Sequence, residues 1–164
     1  MKKSIIAVLA LGFLALSAFA AFAETKGAIE LTSLAEKEIT LTDAAGKSVK
    51  KLVPAGKVIP GDEIIYSVTF KHVGDKPAEK VVLDNPVPEH TLYVAGSAEG
   101  KDAVITFSVD GGKTYHAEKD LKVKKADGTY RPAVPEDYTG VRWTLKKALK
   151  PGDSGRVSFR AKLK

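Results

Sequence analysis

The densest run of chemically capable side chains lies between Ser108 and Tyr115, in the order Ser108-Val109-Asp110-Gly111-Gly112-Lys113-Thr114-Tyr115. A carboxylate two residues after a serine and four before a threonine is well placed to accept hydrogen bonds from its own turn. The two glycines after it accept positive φ without steric cost. This spacing reads as a capped hairpin turn rather than a catalytic dyad.

Three histidines, His72, His90 and His116, are the other obvious candidates for chemistry. None stands at metal-ligand spacing with an acid on the same strand, so a metal site would have to be assembled from separate loops. Acids gather near turns at Asp62, Asp84, Asp102, Asp110, Asp127, Glu136, Asp137 and Asp153. Such oxygens could hold calcium between loops, but aspartate is also a good turn former, and that is the favoured reading. No HExxH, P-loop, GxSxG or Cys-His pattern is present, so no enzyme, catalytic residue, metal or cofactor is expected.

Trp143, the lone tryptophan, falls on the core-facing phase of its strand and is expected to anchor the interior rather than form a sugar platform. Tyr130 and Arg131 lie in a proline-bearing loop from Ala126 to Asp137, and Tyr138 follows it directly. They are the expected exposed contacts for a partner, because loops at the ends of a scaffold carry binding.

The elements that must position these residues are strands. Glu63 to His72 alternates strictly, with Ile64, Tyr66, Val68 and Phe70 on one face and Ser67, Thr69 and Lys71 on the wet face. Ala78 to Leu83 reads as its return, stopped by Pro86 and Pro88. Ala103–Val109, Val141–Leu145 and Gly155–Leu163 alternate in the same way. Pro60-Gly61-Asp62 and Pro151-Gly152-Asp153 repeat one turn chemistry. Before them, Gly27 to Thr42 reads as two strand pieces with a polar break, followed by a basic strand from Ser48 to Val53. Ala117 to Pro135 reads as a long polar excursion with at most one short strand near Leu121–Val123. No 3.6-residue period occurs after residue 23. About seven to nine short strands at regular spacing point to an all-β antiparallel sandwich over residues 24–164.

Residues 1–23 are of another kind. Lys2 and Lys3 precede an apolar run from Ile5 to Leu16, and Ala21-Phe22-Ala23 stands just before Glu24. This is the pattern of a secretory signal peptide cleaved after Ala23, with Ala20 the next choice. A membrane anchor is the competing reading of the same run. The formal net charge is +6 over 164 residues, and two of the lysines belong to the leader. With lysines dispersed and no Arg- or aromatic-rich patch, nucleic acid is not an expected partner; outward lysines discourage edge-to-edge pairing. The chain has no cysteine, so neither a lipid anchor on cysteine nor a disulfide supports it.

Pro60-Gly61-Asp62, the block IIYSVTFKHVGDKPAEKVVLDNPVPEHTLYVAGSA ending at Ala98, and VRWTLKKALKPGDSGRVSFRAKLK at the end together resemble the DUF11 conserved-repeat domain. That domain is an immunoglobulin-like module of exported bacterial and archaeal surface proteins. The likeness covers residues 58–164. The family's Asn-Thr-Gly turn is Lys71-His72-Val73-Gly74 here, and its Leu-Pro corner is Pro86-Val87-Pro88. The family occurs as tandem copies in wall-anchored chains, whereas this chain carries one copy. Ser108–Tyr115 is also similar to the Asp-box of sialidase-like propellers, with Tyr115 in place of tryptophan; one copy cannot build a propeller. The resemblance implies an immunoglobulin-like sandwich that acts by contact with an envelope or surface protein, and the leader implies a periplasmic or extracellular place with no membrane span after cleavage. The alternative is a periplasmic accessory protein that binds a small ligand or metal ion.

Overall fold

The computed structural model describes residues 28–164, so the cleavage site expected after Ala23 lies outside the described residues. Eleven strands and two one-turn 3-10 helices follow in order: β1 (Ile29–Thr42), β2 (Ser48–Pro54), β3 (Glu63–His72), β4 (Val82–Pro86), β5 (Thr91–Tyr93), β6 (Glu99–Gly100), β7 (Ala103–Ser108), β8 (Lys122–Lys124), β9 (Tyr130–Pro132), β10 (Gly140–Leu145) and β11 (Ser154–Leu163). The helical turns are Glu118–Asp120 and Pro135–Asp137. Every pairing is antiparallel. The larger sheet has the order β2-β1-β3-β11-β5, with β6 also lying along β11, and the smaller has the order β4-β10-β7. These nine strands make the sandwich. β8 and β9 form a separate hairpin inside the long excursion.

The alternating strands fill the space between the sheets. Val68 and Phe70 from β3, Val157, Phe159 and Ala161 from β11, and Tyr93 from β5 meet Leu83, Phe107, Val141 and Trp143 from the smaller sheet. Trp143 and Phe159 are fully buried and stack across the layers with centroids 6.4 Å apart. Burying side chains of this size contributes on the order of 1.5–3 kcal/mol each, so the tryptophan is the interior anchor its strand phase predicts. Gly100 permits this packing, because a Cβ there would stand 2.6 Å from Trp143 Cδ1.

The two Pro-Gly-Asp turns are the same device twice. Gly61 and Gly152 take φ of +97° and +85°. In each, the aspartate carboxylate accepts the N–H three residues back: Ile59 N–H to Asp62 at 3.1 Å and Lys150 N–H to Asp153 at 2.8 Å.

Several expectations need correction. Ile29–Thr42 is one continuous strand with no polar break. β4 starts at Val82 rather than Ala78, because Lys80 adopts a left-handed φ of +52° that interrupts the ladder; Ala78 makes only a lone bridge to Leu149. The excursion holds two short strands, not one. The second face of β3 is not uniformly wet either, since Ser67 and Ile65 are buried. Ile65 shares a groove with Leu52, Arg156 and Arg160, so neighbouring strands of the same sheet shield it from the side.

Candidate interaction surface

β1 divides its length between two neighbours. Residues 29–36 pair with β3, and residues 36–42 pair with β2. At the join, Ala55 N–H donates to Ala35 O at 3.0 Å and the chain turns away. The margin of the larger sheet therefore steps. Over one half the outermost strand is β2, and over the other it is β1, whose side away from β3 has no strand partner among the described residues. The step has the width of one strand.

Apolar side chains flank this margin on both faces. Leu31, opposite Phe70, is 57% exposed, and Leu34, opposite Ser67, is 47% exposed. Of β1, only Ile29 packs against the core cluster, which leaves Leu31 uncovered although it points to the core side. Leu41 and Val49 face each other across β1 and β2 and are 46% and 47% exposed. The hairpin is held by its turn, where Asp43 accepts the N–H groups of Ala45 and Lys47 at 2.9 and 2.8 Å. Arg156 ties it to the sheet through Glu36 at 2.8 Å, and Lys50 to Glu38 at 2.7 Å ties its two strands to each other. An isolated two-stranded ribbon is marginal in water. A long ribbon with leucine and valine outward is the kind of apolar surface that another molecule covers.

The loop expected to make contacts is built differently. Tyr130 is exposed, as expected. Arg131 is engaged internally: its two terminal nitrogens donate to both oxygens of Asp137 at 2.6 and 2.7 Å. The Arg131 guanidinium holds the Asp137 carboxyl below its ordinary value, with help from Val134 N–H. Tyr138 corrects the expectation outright. At 4% exposure it is a core residue, its ring 4.8 Å from Phe107 and 5.3 Å from Tyr93. The helical turn Pro135–Asp137 swings it inward, and burial, reinforced by Glu118, pushes its hydroxyl up to about 12.

Ser108–Tyr115 is the capped turn its spacing predicts. Asp110 accepts from Thr114 N–H and Lys113 N–H, both at 3.0 Å, and from the hydroxyls of Ser108 and Thr114 at 2.7 Å. These donors, Thr114 N–H first, hold its carboxyl far below the usual carboxylate range. Tyr115 lies under the Arg142 guanidinium at 3.8 Å, and Arg142 is bidentate with Asp84.

The histidines do not converge. His72 is buried at the end of β3, its Nδ1 accepting Gly74 N–H at 3.0 Å and its Nε2 without a partner among the described residues. His90 holds a left-handed corner, and His116 bridges to Phe107. Among the described residues, no group of three or more His, Asp or Glu side chains is placed to hold a metal ion. Sequence reasoning missed Leu31, Leu34, Leu41 and Val49 as surface residues. Their irregular spacing along β1, out of step with strict alternation, was the available signal.

No family model matches the chain, and no curated protein gives a significant match to it. No helix among the described residues is long and apolar enough to cross a membrane.

Proposed function

We propose that this protein is an exported, non-enzymatic module that works by binding a protein of the cell envelope or surface, with its stepped sheet margin as the contact. The observation that carries the reading is that β1 has no strand partner on its side away from β3 among the described residues, with Leu31 and Leu34 exposed on its two faces. An extended partner segment laid in the step would pair with the backbone of residues 31–34 of β1 and continue the row of β2. Its alternate side chains would cover leucine on both sides, which is strand addition. Tyr130 is a secondary contact at most, since the rest of its loop is turned inward. Export rests on the leader pattern, and the envelope setting rests on the DUF11-like motifs.

A photocrosslinking residue placed at Leu31, Leu34 or Val49 in the cell, with Tyr130 as the comparison, tests this. The expected result is one defined envelope protein captured from the β1 and β2 positions. Capture from Tyr130 alone, or recovery only as a free monomer from every position, sinks it.

A further inference from the structure

The start of β11, the loop after β10 and the turn between β6 and β7 line a groove of about 600 Å³. Its floor is apolar: Phe70, Leu145 and Leu149, with the small Ala148 at the lip. Phe70 and Leu149 are recessed below the surface. Gly155 shapes the floor, because a Cβ there would overlap the edge of the Phe70 ring and lie 3.0 Å from both flanking ring carbons.

The rim is cationic. Lys101, Lys147, Lys150 and Arg156 stand around it with two acids, Asp102 and Asp153. Both acids are already engaged: Asp102 faces Lys147 at 3.5 Å, and Asp153 accepts the Lys150 backbone N–H at 2.8 Å. Arg156 is held by Glu36 at 2.8 Å. That leaves the ammonium groups of Lys101 and Lys150 with no ion pair among the described residues, above a floor that offers no polar partner.

We infer that this groove binds a single-chain fatty acid, its alkyl chain on Phe70, Leu145 and Leu149 and its carboxylate between Lys101 and Lys150. The volume and the mostly apolar lining with a few convergent charges suit a small amphiphile. Charge complementarity selects an anion over an uncharged or cationic one. Recession selects a monomer over a bilayer, because the lysines rise above the apolar floor and a flat membrane would meet them first. The inference does not depend on the strand-addition reading, since the groove uses neither the open edge of β1 nor β2.

The test is titration of the purified protein with laurate, followed by calorimetry and by backbone amide NMR shifts. Dodecyl maltoside and phosphatidylglycerol vesicles are the comparison probes. Saturable laurate binding is expected, with shifts confined to residue 70 and its neighbours and to residues 101–102 and 145–156. Lys101→Glu with Lys150→Glu should weaken it by about tenfold or more. Ala148→Trp, a change at an exposed lip residue, should abolish binding while the melting temperature stays put. Absence of laurate binding overturns the inference. So does binding that Ala148→Trp leaves intact, or equal response to the uncharged detergent. Binding to the vesicles without binding to monomeric laurate overturns it in favour of a membrane surface.

Discussion

The β1–β2 ribbon and the excursion from Ala117 to Thr139 look miscast when set side by side. The ribbon is the regular element, laddered along its whole length on at least one side, yet it leaves leucine and valine in water. The excursion is irregular and polar, yet it closes on itself through Arg131–Asp137 and sends Tyr138 into the core. Regular hydrogen bonding satisfies a backbone without burying its side chains, whereas an irregular loop can do both when its ends deliver an aromatic inward. Regularity is thus no guide to which region is complete.

The largest test of that contrast is Tyr138→Ala, expected to cost about 3–5 kcal/mol in urea unfolding, as for other buried aromatics. A loss under about 1 kcal/mol would place the excursion outside the cooperative core. Next, Asp137→Ala should cost about 1 kcal/mol by removing the acceptor of both Arg131 and Val134 N–H; no change would mean the loop closes without that pair. A pH series sharpens the point. The Tyr138 hydroxyl ionises less readily folded than unfolded, so its contribution is full below pH about 10 and fades as pH rises toward about 12. Tyr138→Phe should flatten that alkaline limb. At the acid end the sign reverses: Asp110 and Asp137 are both depressed, so their contribution is full above pH about 4 and fades as pH falls below it. Smallest in stability is Leu31→Ser with Val49→Ser, expected to stay within about 0.5 kcal/mol of the parent while removing crosslinking to the partner. A large destabilisation by that pair would mean the ribbon is already covered.

Much of the sandwich was legible because burial on one face writes itself as alternation. β7, β10 and β11 each read correctly for that reason, and the Pro-Gly-Asp repeats marked two turns of common geometry. β1 was not read as one strand because both of its faces are exposed, and nothing then forces its apolar residues into phase. Tyr138 was misjudged because its burial is set by a one-turn helix after two prolines, where no period exists to reveal direction. Ser67 was misread because lateral shielding within one sheet leaves no trace in the strand's own pattern. The groove was invisible for a simpler reason: Phe70, Lys101 and Leu149 are far apart in the chain.

The divided pairing of β1 also has a mechanical meaning. A pull on the hairpin tip at Gly46, directed along β1, loads all eight register pairs between β1 and β3 at once, in shear. A pull across the ribbon instead peels β2 from β1 one rung at a time. A partner that tugs along the strand meets a stiff tether, and one that tugs sideways meets a zip fastener. The direction of load, not only its size, then decides how long a linkage made at this margin survives.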